Sequence, residues 1–338
     1  MRRQTMRRAL GAATLATLAL GAAFWGATSL GGLLLAQQTP AQFRIKVDLV
    51  VLSVAVTNRQ GRYVTGLKVS DFRILEDGIA QKVSFFGEGS QAPSATEEGR
   101  AAAAAGSGPA GIDLASDTFV GTNVFILFDT SNFMYRGFVY AEDAIADFVR
   151  GLDRADSIAI YTFSRNLNRL APLTRDRSIA VRGLRQAVAG DDTALYNGLL
   201  LTLRDAARVP GRKVVIIFSN GPDNASMLAP DDVRAVAEDE GIPIYVISTS
   251  EVNRDPISGN VFRRITARTG GRAFFAKTWQ KQTEAFHSIR EELRHVYTIT
   301  YYPQANPNEG FRSINVELTA DAAKRYRLRY RTGYRPKL

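Results

Sequence analysis

Asn123-Val-Phe-Ile-Leu-Phe-Asp129-Thr-Ser131-Asn-Phe133-Met134 decides the fold. Six residues rich in branched and aromatic side chains form a strand too apolar to leave either face in water, which is the signature of a parallel sheet covered on both sides. The strand runs directly into an acid, two hydroxyls and an amide. In open parallel sheets, ligands sit outside the carboxyl ends of the strands, so Asp129 to Met134 is where chemistry is to be sought.

The same pattern repeats outward from this stretch. A helical segment near 140–152 precedes Ser157-Ile-Ala-Ile-Tyr-Thr-Phe163, and helices follow near 178–188 and 194–207. Strands at 213–218 and 243–247 flank a helix at 230–240. A strand at 272–276 and a helix at 280–296, with Phe286, Ile289, Leu293 and Val296 spaced by three and four, close the series. Alternation of this kind predicts an α/β fold with a doubly wound, mostly parallel sheet over residues 119–295.

The flanks read differently. Val47 to Thr57 is a β-branched run that turns at Asn58-Arg-Gln-Gly61 into Tyr63-Val64. Asp71-Phe-Arg-Ile-Leu75 and Lys82-Val-Ser-Phe-Phe86 are short strands separated by Glu76-Asp-Gly78, where Asp-Gly suits a tight turn. After the α/β region come strands at 297–302, 313–318 and 326–331. Neither flank can bury an apolar face alone, so residues 43–88 and 296–334 are expected to form one small β subdomain. Residues 89–118 are rich in Ala, Gly, Ser and Pro and are expected to be a flexible linker.

The start of the chain stands apart. Arg2, Arg3, Arg7 and Arg8 precede a stretch from Ala9 to Phe43 without one charged side chain. Residues 1–36 are expected to be a signal peptide cleaved after Ala36 or an uncleaved N-terminal membrane anchor; either places the body of the protein outside the cytoplasm, in the periplasm or cell envelope or secreted.

Net charge is +10. Setting aside the four leader arginines leaves +6, and setting aside the seven cations between Lys324 and Lys337 leaves −1 for the rest. The basic character is therefore local and does not point to nucleic acid. In Tyr326-Arg-Leu-Arg-Tyr-Arg331 the arginines alternate with Tyr and Leu, which predicts a solvated charged strand face. The chain has no cysteine, which excludes disulfides, thiol catalysis and thiolate metal sites. No Gly-x-Ser-x-Gly and neither glycine-rich phosphate loop occurs. His287 and His295, the two histidines, are eight residues apart on one helix, roughly 12 Å at ~1.5 Å per residue, and cannot share a metal ion. Tyr297, Tyr301 and Tyr302 are expected in the core or in cross-strand pairs.

Asp129-x-Ser131, a Thr193 set in Gly190-Asp-Asp-Thr-Ala-Leu-Tyr-Asn-Gly198, and Phe218-Ser-Asn-Gly221 after a later strand together resemble the metal-ion-dependent adhesion site of von Willebrand factor type A domains. Asp129, Ser131 and Thr193 match that pattern. Phe133 stands where the second serine belongs and Asn220 where an aspartate belongs. The flanks, Gly66-Leu67, Asp71-Phe72, Glu76-Asp-Gly78, Gln81 and Phe85-Phe86 before the domain and Tyr330-Arg-Thr-Gly-Tyr334 after it, resemble the bacterial members that carry terminal β extensions.

The resemblance implies an exported, noncatalytic protein-binding or adhesion module with a protein partner in the cell envelope or outside the cell. Its metal site is degenerate and built on Asp129, Ser131, Thr193 and Asn220. Mg²⁺ is the one cofactor implied, and losing a hydroxyl and a carboxylate predicts weak or absent binding. Asn132, Phe133, Asp191, Asp192 and Asp223 are the candidate partner-binding residues, and the three acids are also candidates to restore an oxygen ligand. The rival readings are a structural envelope protein working through its β subdomain and, third, a hydrolase using surface carboxylates.

Overall fold

The computed structural model describes residues 49–104, 120–250, 255–319 and 325–336. The leader, the linker stretch 105–118, Lys324 and Lys337 lie outside them. Elements in chain order are β1 Val50–Asn58, β2 Phe72–Glu76, β3 Ile79–Gln81, β4 Val83–Glu88, β5 Ser94–Ala95, α1 Glu97–Ala104, β6 Asn123–Asp129, α2 Phe138–Arg150, β7 Ser157–Phe163, β8 Leu167–Thr174, α3 Arg177–Leu184 and α4 Leu195–Ala207. They continue with β9 Lys213–Ser219, α5 Pro230–Asp239, β10 Ile244–Ser248, α6 Pro256–Thr269, β11 Ala273–Phe275, α7 Trp279–His295, β12 Tyr297–Tyr301, β13 Arg312–Leu318, β14 Tyr326–Arg329 and β15 Gly333–Tyr334.

The central sheet has the order β11-β10-β9-β6-β7-β8. All its strands are parallel except β8, which runs antiparallel to β7. Side chains alternate across the pleat, so β6 sends Val124, Ile126 and Phe128 into a core under α2, α3 and α7, and Phe125 and Leu127 into a second core under α4, α5 and α6. Covering both faces explains why the strands read as unbroken apolar runs. From β6 the chain winds outward through β7 on one side and through β9, β10 and β11 on the other. The order reverses between β6 and β9, the switch point at whose carboxyl ends open α/β sheets place their ligand crevice.

The terminal segments form two antiparallel sheets, β14-β1-β12-β4-β5 and β15-β13-β2-β3. N-terminal β1 lies between two C-terminal strands, pairing Val50–Val54 with Tyr301–Tyr297 and Ala55–Asn58 with Arg329–Tyr326. A third core fills the space between the sheets, with Leu52, Val54, Ile74, Tyr297, Ile299 and Tyr301 within it. In β13 the expected alternation is present: Ile314, Val316 and Leu318 are buried while Ser313, Asn315 and Glu317 are exposed.

Three expectations need correction. Residues 89–104 are ordered, because β5 pairs with β4 and Thr96 Oγ1 donates to the carbonyls of Val83 and Ser84, at 2.5 and 3.1 Å. Gly99 then packs so close that an added Cβ would stand 2.1 Å from the Ser84 carbonyl oxygen. The helix expected at 178–188 ends at Leu184, and Val188 is exposed.

The arginine face of the last strands is not solvated throughout, although Arg327 is exposed. Arg329 reaches Glu292 on α7, and Arg331 is buried with Nη1 donating to the Glu238 carbonyl at 3.1 Å. Burial works against the charge of Arg329, but the neighbouring Glu292 carboxylate outweighs it and holds the guanidinium above its ordinary range.

Candidate functional site

At the crevice, β6 ends on Asp129, which has no exposed surface. Its Oδ2 accepts a hydrogen bond from Ser219 Oγ at 2.6 Å across the β6–β9 boundary, and its Oδ1 accepts from the Ser131 main-chain N–H at 2.9 Å. Burial raises the carboxyl above the usual aspartate range, against the lowering effect of Ser219 and Ser131. Ser131 Oγ lies close enough to contribute to that lowering, yet its geometry makes no hydrogen bond.

The loops around Asp129 are fastened to one another by main chain. Gly190 N–H donates to the Thr130 carbonyl at 2.8 Å, Asn132 N–H to Asp191 at 3.1 Å, and Ala194 N–H to Ser164 at 2.8 Å. Thr193 donates its N–H to Asn224 Oδ1 at 2.9 Å and accepts at its carbonyl from Asn224 and Ala225. A 90-residue separation in sequence thus closes into one rigid crevice edge.

Among the described residues, two buried hydroxyls in this crevice, Ser131 Oγ and Thr193 Oγ1, have no hydrogen-bond partner. Orphaned buried hydroxyls are costly unless something completes them. With the Asp129 carboxylate they form three hard-oxygen donors, which fit a small divalent cation in kind but fall short in number. The rest of the family's set is committed elsewhere. Asn220 turns Nδ2 to the Phe133 main-chain carbonyl at 2.9 Å, and the Phe133 ring is 42% exposed, offering no oxygen.

Of the acids that were candidates to fill the gap, Asp223 accepts from Tyr196 N–H at the start of α4 and from Ala225 and Ser226 N–H in its own loop. Asp192 pairs with Arg165 at 2.9 Å. Asp191 and Asn132 are joined through main chain and lie exposed on the rim. Among the described residues no three His, Cys, Asp or Glu side chains form a group that could hold a metal ion. Sequence reasoning did not find Ser219 as the Asp129 partner or Asn224 as the Thr193 clasp; a hydroxyl at the end of β9 and an amide in the loop after it were the local signals.

Large apolar side chains are exposed at this end of the sheet. Helices that follow parallel strands begin at the carboxyl end, so Val139 and Tyr140 in the first turn of α2, Ile257 in that of α6 and Trp279 in that of α7 share this end with Phe133. Met227, 94% exposed in the loop after β9, stands there too.

The von Willebrand factor type A domain model matches residues 123–290. Curated relatives include a protein named dihydroorotate dehydrogenase (quinone) from Rhizobium leguminosarum bv. trifolii (strain WSM2304), 27% identical over 209 residues, which cover 61% of this chain and 48% of that one. The chain thus spans about half the length of the curated relatives it matches. Similar solved structures include the conserved hypothetical protein BatB from Bacteroides thetaiotaomicron, at 17% identity and TM-score 0.43, covering 51% of this chain and 98% of that one. The vWF domain of the type V pili tip protein Mfa5 from Porphyromonas gingivalis has 13% identity and TM-score 0.44, covering 51% and 95%. With its central sheet and the matched residues, the chain carries a von Willebrand factor type A domain flanked by additional β-strand segments.

Proposed function

We propose that this protein is an exported, noncatalytic protein-binding module that grips its partner at the carboxyl end of the central sheet without depending on a metal ion. The observation that carries the reading is a set of exposed apolar side chains, Phe133, Val139, Tyr140, Met227, Ile257 and Trp279, in segments that follow the parallel strands at the carboxyl end of the central sheet. Exposed aromatic and methionine side chains gathered on one surface are the usual anchors of protein interfaces. The charge-free stretch from Ala9 to Phe43 after a basic start supports export. Among the described residues no helix is long and apolar enough to cross a membrane.

The test is a photo-crosslinking amino acid at position 133 in the full chain, compared with one at Ile179. Ile179 is also exposed but begins α3, which follows antiparallel β8 and so lies at the other end of the sheet. A protein adduct formed at 133 and absent at 179 supports the reading; equal adducts at both overturn it. The name of the curated relatives favours a second reading, an oxidoreductase acting on dihydroorotate. Dihydroorotate-dependent reduction of a quinone by the purified full chain would establish that reading in place of the first.

A further inference from the structure

At the opposite end of the sheet from Asp129, the first hairpin of the β segments meets the last half of α7 in an open cleft of about 330 Å³. Gly61, Arg62 and Tyr63 form one wall, Arg272 lies at the entry to β11, and α7 supplies His287, Ser288, Glu291 and His295. The α7 residues recur at intervals of three and four, so a single helix face presents them together. Both histidines of the chain are in this one cleft.

The charges there are unbalanced. Arg62 bonds only a neutral side chain, Gln60 Oε1 at 3.0 Å, and Arg272 stacks over the Phe274 ring at 4.7 Å; among the described residues neither makes an ion pair. The one carboxylate in the lining, Glu291, is already shared between Arg294 at 2.9 Å and His295 Nε2 at 3.6 Å. Below the floor, Glu292 is closed off by Tyr63, Tyr245 and Arg329. Two guanidinium groups, two imidazoles and the Ser288 hydroxyl therefore surround a space with one partly satisfied acid. The guanidinium fork matches the oxygens of a phosphate group, and the separation of the two histidines along α7 allows donors to reach it from both sides.

We propose that this cleft is a binding site for a phosphate ester, held by Arg62 and Arg272 and flanked by His287 and His295. The site is independent of the strand-end crevice. Its ligand would touch both the α/β domain and the β segments, because Arg62 belongs to one and Arg272 to the other.

Having two histidines in the chain, both in the cleft, gives a direct readout in the untagged full chain. Proton NMR signals of the two imidazoles are followed while inorganic phosphate, glycerol phosphate or vesicles containing an anionic phospholipid are added, each against sodium chloride of matched ionic strength. The expected result is a saturable shift of both signals with phosphate that chloride does not reproduce, weakened at least about tenfold in Arg62→Ala and in Arg272→Gln. Saturation by glycerol phosphate assigns a soluble ester, and a response to vesicles alone assigns a lipid headgroup. A shift that follows ionic strength only, or one retained in both folded variants, overturns the proposal.

Discussion

Asn220 donates from Nδ2 to the main-chain carbonyl of Phe133 at 2.9 Å, so the two positions that depart from the family's metal-site pattern are bonded to each other. An aspartate at 220 would set a carboxylate against that carbonyl with no proton between them. The amide at 220 thus serves as a loop lock. A serine at 133 alone leaves the lock in place, since the bond is to main chain.

We predict weak or absent Mg²⁺ binding by the native chain, and a gain of at least about tenfold, roughly 1.4 kcal/mol, in the double variant Phe133→Ser, Asn220→Asp. The double change adds one hydroxyl and one carboxylate beside Asp129, Ser131 Oγ and Thr193 Oγ1, the last two of which await a partner. Calorimetric titration measures both proteins. Tight native binding, or no gain in the double variant, contradicts the prediction.

The parts of this molecule legible in sequence are those fixed by local spacing. The two-sided apolar run of β6, the period of α7 and the alternation in β13 each follow from which side chains must leave water. Asp129, Ser131 and Thr193 were legible as a pattern. Missing were partnerships between distant residues: Ser219 with Asp129, Asn224 with Thr193, and Asp223 with the start of α4. The Ala-rich stretch after Gly89 looks like a linker because its order depends on Gly99 fitting against Ser84, which composition does not encode. Likewise, alternation told which side of β14 carries its arginines but not that α7, with Glu292, lies on that side.

Glu292 is 1% exposed and accepts from Tyr245 on β10, Tyr63 in the first hairpin and Arg329 on β14, joining three elements at one carboxylate. Removing it strands a half-buried guanidinium. Glu292→Ala is expected to cost about 3–5 kcal/mol in urea unfolding, and Tyr63→Phe about 1 kcal/mol. Glu292→Ala combined with Arg329→Met should recover much of the loss, since the penalty lies in the uncompensated charge. A double variant no more stable than the single would show that packing, not charge, dominates.

Asp77 governs acid sensitivity of the β2–β3 turn. Its slight burial favours the neutral acid, but side-chain hydrogen bonds from Asn308, Asn306 and Ser313 and the Ser313 N–H outweigh that and hold its pKa at about 2. A depressed folded-state value means the unfolded chain takes up the proton first as pH falls. The contribution is therefore complete above the ordinary value of 3.8 and lost as pH drops through about 2. The group is exposed and screened, so the effect is expected to stay below about 1 kcal/mol. The stability gap between native protein and Asp77→Asn, read from urea midpoints, should shrink between pH 6 and pH 2.5; a gap that grows on acidification would reverse the sign.

Partner capture at the strand-end face should depend on Phe133 more than on any ion. The ring is exposed beside a crevice whose main chain is clamped by Gly190, Asn132 and Asn220, so it meets a partner with little ordering left to do. An aromatic anchor of this kind contributes about 2 kcal/mol or more when buried by a partner, whereas flanking residues that mainly exclude water contribute less. Once the partner crosslinked at position 133 is in hand, Phe133→Ala should weaken it at least about thirtyfold. Met227→Ser and Trp279→Ser should each weaken it by smaller factors, and Met227→Ser should keep the native unfolding midpoint because that side chain is already in water. Chelator should leave the affinity unchanged, since the Asp129 carboxylate is already held by Ser219 and the Ser131 N–H. A complex that dissociates in chelator while tolerating Phe133→Ala would place the grip on a metal ion and remove the exposed apolar side chains from the mechanism.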